Sequence, residues 1–128
     1  MNVDAGSADM KLISLTLHGA IDYLAVLIFA AAPAIIGLSG WPAVLSYALA
    51  GVHLLMTLLT DFPAGAIKLV AVTLHNWVER IVGPVLIILA LVPLNWPTQN
   101  ARIFFGFMGV VILAVERLTA YRSITEAK

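Results

Sequence analysis

The sequence contains no cysteine and little charge. Without cysteine the chain has no disulfide, no thiolate metal site and no cysteine nucleophile, and its redox compartment cannot be deduced. Charged residues make up 11% of the 128 residues, whereas soluble domains contain about 25%. The formal net charge is zero, which argues against nucleic acid as a partner. The sequence also has no serine-nucleophile motif and no glycine-rich phosphate loop, so an ordinary hydrolase or kinase is not expected.

Long apolar runs are what the sequence does contain. Hydrophobic residues make up 62% of the chain and the mean hydropathy is +1.02, values typical of an integral membrane protein. Four runs have roughly the 20 residues with which a helix crosses about 30 Å of hydrocarbon. They are residues 12–38, 42–59, 69–94 and 103–121. Because backbone groups in lipid must be satisfied within the segment, we predict an all-α transmembrane four-helix bundle.

The connections between these runs are short and contain proline beside glycine or polar residues, as tight helical hairpins do. We therefore expect a single transmembrane domain at residues 11–122. A disordered N-terminal segment is expected at residues 1–10 and a C-terminal tail at residues 123–128.

The orientation is predicted from the basic residues. Four spans place both termini and the 60–68 loop on one side of the membrane, and the opposite side has only Arg102. The positive-inside rule then puts both termini in the cytoplasm of a multi-pass protein of the cell inner membrane, with Trp41 and Trp96 at the far interface. The basic residues on the cytoplasmic side are Lys11, Lys68, Arg122 and Lys128.

One short sequence motif, called here the repeated phrase, occurs twice, as TLHGAID at residues 16–22 and as TLHNWVE at residues 73–79. It makes His18 equivalent to His75, and Asp22 equivalent to Glu79, at a separation of 57 positions.

The recurrence predicts two tandem two-helix repeats, residues 12–61 and 69–121, related by a pseudo-twofold axis along the membrane normal. Thr60 pairs with Thr119 only if the second hairpin is longer than the first.

Helical spacing gathers the polar residues of the spans into one layer in the inner half of the bilayer. His18 and Asp22 are four residues apart, as are His75 and Glu79, so each pair lies on one helix face. His53 begins a similar face that continues through the threonines of the second span. Ionisable side chains cost roughly 2.5 to 3.5 kcal/mol each at the centre of a spanning helix, so they are expected to face inward.

The simplest interpretation of this layer is a buried network of histidine, carboxylate and arginine side chains that fixes helix packing. On this interpretation the protein is a structural or accessory subunit of a membrane assembly and not an enzyme. The network is predicted to contain Asp22, Glu79, Arg80, Glu116, Arg117 and Thr57.

Two cofactor interpretations compete with it, and either would make the chain an electron-transfer module. In the first, His18 and His75 ligate haem b from both faces, with His53 as a spare or second ligand. In the second, a divalent metal such as Zn, Mn or Fe is bound by histidine and carboxylate side chains. The candidate metal ligands are His18, His53, His75, Asp22 and Glu79.

Proton or small-solute transport is a further alternative. Glu79 is followed by Gly83 and Pro84, and a proline at this position frees the carbonyl oxygen of Arg80, one helical turn earlier. Broken helices near the midplane are a feature of transporters.

Partners are predicted from composition and from two glycines. The lipid bilayer is the main partner, and Gly106 and Gly109 on the fourth span offer a close-approach surface. We therefore expect a homodimer or a place within a larger membrane complex.

The stretch HGAIDYLAVLIFAAAPAIIGLSGWPAVLSYALAGVHLL at residues 18–55 resembles the SPW-repeat type of small bacterial membrane protein. In that type a Ser-Pro-Trp signature stands near the end of the first helix of each pair. Here APAIIG at residues 32–37 keeps the proline and the glycine, and VPLNW at residues 92–96 keeps the proline with its tryptophan three positions later. The resemblance implies a bacterial source and a four-helix, two-repeat membrane fold, and it implies no chemistry.

Overall fold

The computed structural model describes residues 12–120, which form four α-helices. They are α1 (Leu15–Ile35), α2 (Trp41–Leu59), α3 (Val72–Leu91) and α4 (Gln99–Leu118). No strand occurs between residues 12 and 120, so the predicted all-α four-helix class is confirmed. The expectations for residues 1–10 and 123–128, and for Lys11, Arg122 and Lys128, lie outside the described residues.

Three of the helices, α1, α2 and α3, are long and apolar enough to cross a membrane. This agrees with the prediction of a membrane protein. The fourth helix has the most charged residues of the four, namely Arg102, Glu116 and Arg117.

Local sequence signals explain where the helices begin. The hydroxyl of Ser14 accepts a hydrogen bond from the backbone N of Leu17 at 3.1 Å and so caps α1, and Thr98 caps α4 in the same way through Ala101. α2 has a proline in its first turn and follows Gly40, whose φ of +63° favours glycine.

The closest helix packing occurs within each hairpin, α1 against α2 and α3 against α4. A Cβ atom on Gly109 would lie 2.7 Å from the carbonyl oxygen of Gly83, and one on Gly106 would lie 3.0 Å from Cβ of Ala90. Both glycines therefore serve the contact between α3 and α4. The expectation that they form a free surface for a partner chain is wrong, because α3 already occupies that surface.

The bundle has an apolar half and a polar half. Phe29, Leu86 and Phe105 belong to the apolar core, and the indoles of Trp41 and Trp96 meet at that end with ring centroids 4.4 Å apart. The polar half contains the starts of α1 and α3 and the ends of α2 and α4, where the sequence analysis placed the polar layer.

The connection between α2 and α3 closes the polar end of the bundle. Phe62 in this connection is 2% exposed, and its ring lies 6.3 Å from the ring of His18 and 5.5 Å from that of His75. Tyr23 holds the connection in place by donating a hydrogen bond of 2.8 Å from its hydroxyl to the carbonyl oxygen of Ala64. An apolar ring thus covers the histidines at the polar end of the bundle.

Two isolated β-bridges tie the start of one helix to the end of another. Ile13, just before α1, pairs with Thr119, just after α4, and Val70, before α3, pairs with Thr60, after α2. Each bridge brings a threonine to the first turns of a helix that carries a histidine.

Candidate functional site

Four ionisable side chains meet between the first turns of α1 and α3. His18 and Asp22 come from α1, and His75 and Glu79 come from α3. Their exposed fractions are 0, 2, 2 and 4%. The repeated phrase of the sequence thus forms a single buried cluster, because each histidine and its acid lie one turn apart on the helix face that points at the other helix.

Two threonine hydroxyls hold the histidine rings. Nδ1 of His18 lies 2.7 Å from Oγ1 of Thr119, and Nδ1 of His75 lies 2.8 Å from Oγ1 of Thr60. Each hydroxyl donates its own hydrogen to a backbone carbonyl one turn earlier in the helix. Since a hydroxyl has one hydrogen to donate, it accepts from the ring, and Nδ1 of each histidine carries a hydrogen.

The Nε2 atom of each ring therefore faces the two carboxylates. For His18, Nε2 lies 3.3 Å from Oδ2 of Asp22 and 3.1 Å from Oε2 of Glu79. For His75, Nε2 lies 3.1 Å from Oδ2 of Asp22 and 3.0 Å from Oε1 of Glu79. Each Nε2 thus has two carboxylates as neighbours, although a ring nitrogen carries at most one hydrogen.

One carboxylate oxygen of the cluster lacks a hydrogen bond. Both Nε2 atoms have hydrogen-bond geometry toward Oε1 of Glu79, whereas Oδ2 of Asp22 has no hydrogen-bond donor among residues 12–120. A buried carboxylate oxygen without a donor is costly, and such an atom calls for an explanation.

A third histidine lies at the edge of the cluster. Nε2 of His53, on α2, is 3.5 Å from Oδ1 of Asp22 and 3.9 Å from Oε1 of Glu79. These distances exceed the roughly 2.7 to 3.2 Å of a direct N–H···O bond. His53 has 11% of its side chain exposed, more than any of the other four members.

The arginines form a separate group around Glu116. Arg80 donates two hydrogen bonds to Oε1 of Glu116, from Nε at 3.1 Å and from Nη2 at 2.8 Å, and Nε of Arg117 lies 3.4 Å from Oε2. Thr57 uses its hydroxyl for the carbonyl oxygen of its own helix at His53. The predicted polar network is therefore divided, with Asp22 and Glu79 paired to histidines and Glu116 paired to arginines.

The contacts of the site recur in the two halves of the chain. The bond from Ile13 N to the carbonyl of Leu118, at 3.0 Å, has a counterpart from Val70 N to the carbonyl of Leu59, at 2.7 Å. The threonine that follows each of these carbonyls is the one that holds a histidine.

The spacing of the cluster matches a metal centre. His18, Asp22, His75 and Glu79 each offer one ligand atom, and these atoms lie within 4.8 Å of one another. Four ligands at about 2.0 to 2.1 Å from a tetrahedral zinc ion lie about 3.3 Å apart. With Oδ2 of Asp22 and Oε1 of Glu79 as the ligand oxygens, the four nitrogen–oxygen distances are 3.0 to 3.3 Å, close to that value.

Sequence reasoning identified the histidines and acids but assigned no role to Thr60 and Thr119. The available signal was their position, because each stands directly after a helix and the two were already paired as counterparts. Their hydrogen bonds to the rings depend on the β-bridges, which join segments far apart in the chain.

No protein-family model, curated protein or solved structure matches this chain. The resemblance to the SPW-repeat type accordingly stays a prediction.

Proposed function

We propose that this chain is a small integral membrane protein that binds one divalent transition-metal ion through His18, Asp22, His75 and Glu79. The observation that carries the proposal is the convergence of two Nε2 atoms and two carboxylates, with both rings held by threonine at Nδ1. A ligand histidine commonly donates its other ring N–H to an oxygen atom, which sets its tautomer and orientation. An ion would satisfy all four facing atoms together, including the orphaned Oδ2 of Asp22.

The donor set indicates the class of metal. Imidazole suits Zn, Fe and other late first-row ions, whereas carboxylate suits Mn, so two histidines with two carboxylates favour Zn, Fe or Mn. A divalent ion also neutralises the two carboxylates. A site without net charge is an advantage in the low-dielectric interior of a membrane, where an uncompensated charge is costly.

Haem b receives less support from the same geometry. The Nε2 atoms of His18 and His75 both lie within 3.3 Å of carboxylate oxygens. A porphyrin between the rings would have to displace the side chains of Asp22 and Glu79. A single metal ion therefore fits this site better than haem does.

A packing network in a subunit of a membrane assembly is the second candidate. Its supporting observation is that both histidines hydrogen-bond directly to Glu79, His75 from the same helix and His18 across the interface between α1 and α3. On this proposal the cluster sets helix register and no ion is required. Breaking a buried charge pair by removing one partner then costs about 3 to 5 kcal/mol.

For either candidate we propose the inner membrane as location, with both termini cytoplasmic and two tandem repeats in the domain. Lys68 supports this orientation, because it lies at the polar end of the bundle, where its Nζ donates to the carbonyl oxygen of Phe62 at 2.7 Å. Arg102, the basic residue of the other end, donates to the carbonyl oxygen of Ala90. A homodimer or a larger complex remains part of the proposal without an assigned surface.

Metal content separates the two candidates. The protein is purified in detergent, stripped with a chelator, and titrated with Zn²⁺, Mn²⁺ or Fe²⁺, and bound metal is counted by plasma mass spectrometry. We expect one ion per chain, and we expect His18→Ala and His75→Ala to lose it to a similar degree. At an ion concentration of 100 times Kd, the bound ion should stabilise the fold by about 2.7 kcal/mol, seen as a rise in Tm.

Glu116→Gln is the matched control, since Glu116 is a carboxylate 1% exposed at the same end of the bundle that pairs with arginine instead of histidine. This variant should lose stability and keep its metal. If no ion binds to the wild-type protein, and Asp22→Asn lowers Tm more than His18→Ala does, the packing network is the function and the metal proposal is wrong.

A further inference from the structure

A small cavity lies beside the cluster, between α2 and α3. Its volume is about 20 Å³, and its wall includes His53 from α2, Val78 and Glu79 from α3 and Ile112 from α4. A cavity needs roughly 10 to 15 Å³ to hold one water molecule. The space is therefore sufficient for one water and insufficient for a larger molecule.

The cavity touches the two groups that face the centre of the cluster from α3, because His75 and Glu79 belong to its wall. A ligand in the cavity would thus lie next to two of the residues that hold the proposed ion. Asp22 and His18 approach the cluster from α1 and do not belong to this wall.

His53 belongs to this wall and has no direct hydrogen bond from Nε2 to the carboxylates. Its Nε2 remains 3.5 Å from Asp22 and 3.9 Å from Glu79. Polar contacts beyond about 3.5 Å are often bridged by water. A water molecule in the cavity would give Nε2 of His53 a partner.

The second half of the chain lacks this histidine. The contacts that recur between the halves relate α2 to α4 by 59 positions, as Thr60 corresponds to Thr119, so the counterpart of His53 is Ile112. An apolar side chain is thus sufficient at the equivalent position of α4. Helix packing alone does not explain a histidine on α2.

We infer that the cavity holds an exchangeable water molecule that binds the metal ion and is hydrogen-bonded by His53. This inference rests on the proposed metal site. Four protein ligands close a tetrahedral zinc site, but zinc can expand to five ligands and Mn²⁺ favours six, so water would be a ligand additional to the four side chains. The ion therefore accepts one exogenous ligand the size of water, such as hydroxide or fluoride, and the site is suited to chemistry on a small molecule.

Pulsed electron paramagnetic resonance on Mn²⁺-loaded protein in D₂O tests the inference, because deuterons of a bound water couple strongly to the ion. We expect this coupling in the wild type and its loss in Val78→Ile, which enlarges the cavity wall by one methyl group. Val82→Ile, in the same wall, serves as the second variant. The matched control is Val110→Ile on α4, where the side chain is 54% exposed and the coupling should persist.

The outcomes distinguish this inference from the proposal on which it rests. Bound Mn²⁺ with no coupled deuteron in the wild type overturns the water and leaves the metal site intact. Coupling of Mn²⁺ to three imidazole nitrogens instead of two overturns the water as well, since His53 would then bind the ion at the position assigned to the water. A coupling that persists in both wall variants places the water elsewhere, and failure of the wild type to bind Mn²⁺, Zn²⁺ or Fe²⁺ overturns both proposals.

Discussion

Replacing Thr119 by valine tests whether the threonine hydroxyls prepare the histidines for a metal ion. Valine has the shape of threonine with a methyl group in place of the hydroxyl, so the packing at this 1% exposed position is kept. The change removes the acceptor that lies 2.7 Å from Nδ1 of His18. The ring then has a buried N–H without a partner, or turns over and presents the wrong nitrogen to the carboxylates.

The magnitude follows from the cost of that unpaired group. A buried donor without an acceptor costs about 1 to 3 kcal/mol, and each 1.4 kcal/mol changes an equilibrium constant about tenfold. We therefore expect Thr119→Val to weaken metal binding about 10- to 100-fold, the range found when the partner of a ligand histidine is removed. Thr60→Val should weaken it equally, because Thr60 holds His75 in the same way.

Thr57→Val is the matched control. Thr57 is 0% exposed, and its hydroxyl also donates to a carbonyl one turn earlier, that of His53, at 2.7 Å. Its hydroxyl has no contact with a histidine ring among the described residues. Each of the three variants thus loses an equivalent hydrogen bond from the threonine hydroxyl to a backbone carbonyl. Only Thr60→Val and Thr119→Val also lose a contact with a histidine ring.

The assay is titration of the stripped protein with Zn²⁺ against a competing chelator of known affinity, and Thr119→Ser should restore the wild-type Kd. If Thr60→Val and Thr119→Val bind zinc as tightly as Thr57→Val does, the hydroxyls do not orient the ligands and the reasoning fails.

Three further predictions concern protons, packing and topology. Metal binding should release protons from the Nε2 atoms, so the affinity for the metal ion should fall as pH is lowered. Calorimetry in buffers of different ionisation enthalpy counts the released protons. A Kd that does not change with pH would contradict the proposed site. Gly109→Ala should lower Tm, because its Cβ would lie 2.7 Å from the carbonyl oxygen of Gly83, whereas Gly51→Ala, with nothing within 4 Å, should raise stability by up to about 1 kcal/mol. Reporter fusions at Gly40 and Lys128 should report opposite sides of the membrane, and a common side would refute the four-span topology.

Composition and periodicity were sufficient to predict the class of the fold. Long apolar runs separated by proline-containing connections allow only helices in lipid, and every boundary of the four helices lies within four residues of the predicted run. The members of the buried cluster were also predictable. Helical spacing places His18 with Asp22, and the cost of ionisable groups in a membrane requires both to face inward.

Pairing between the helices was not predictable in the same way. The sequence allowed Arg80 and Arg117 to neutralise Asp22 and Glu79, but both arginines contact Glu116. Periodicity specifies the face of a helix on which a side chain lies. It does not specify which side chain of another helix meets that face, because the choice depends on helix rotation and separation.

The sequence by itself determined that polar groups would be buried at one depth, since the same phrase begins two spans and the membrane excludes its charges from lipid. Only the tertiary structure decided that these groups converge on one point. The hydroxyls of Thr60 and Thr119 lie at the Nδ1 atoms of the two histidines, and the ring of Phe62 covers the cluster. The physical reason is that each of these contacts joins different helices or connections. The β-bridges of Ile13 with Thr119 and of Val70 with Thr60 bring them into register, and a backbone bridge leaves no trace in hydrophobic periodicity.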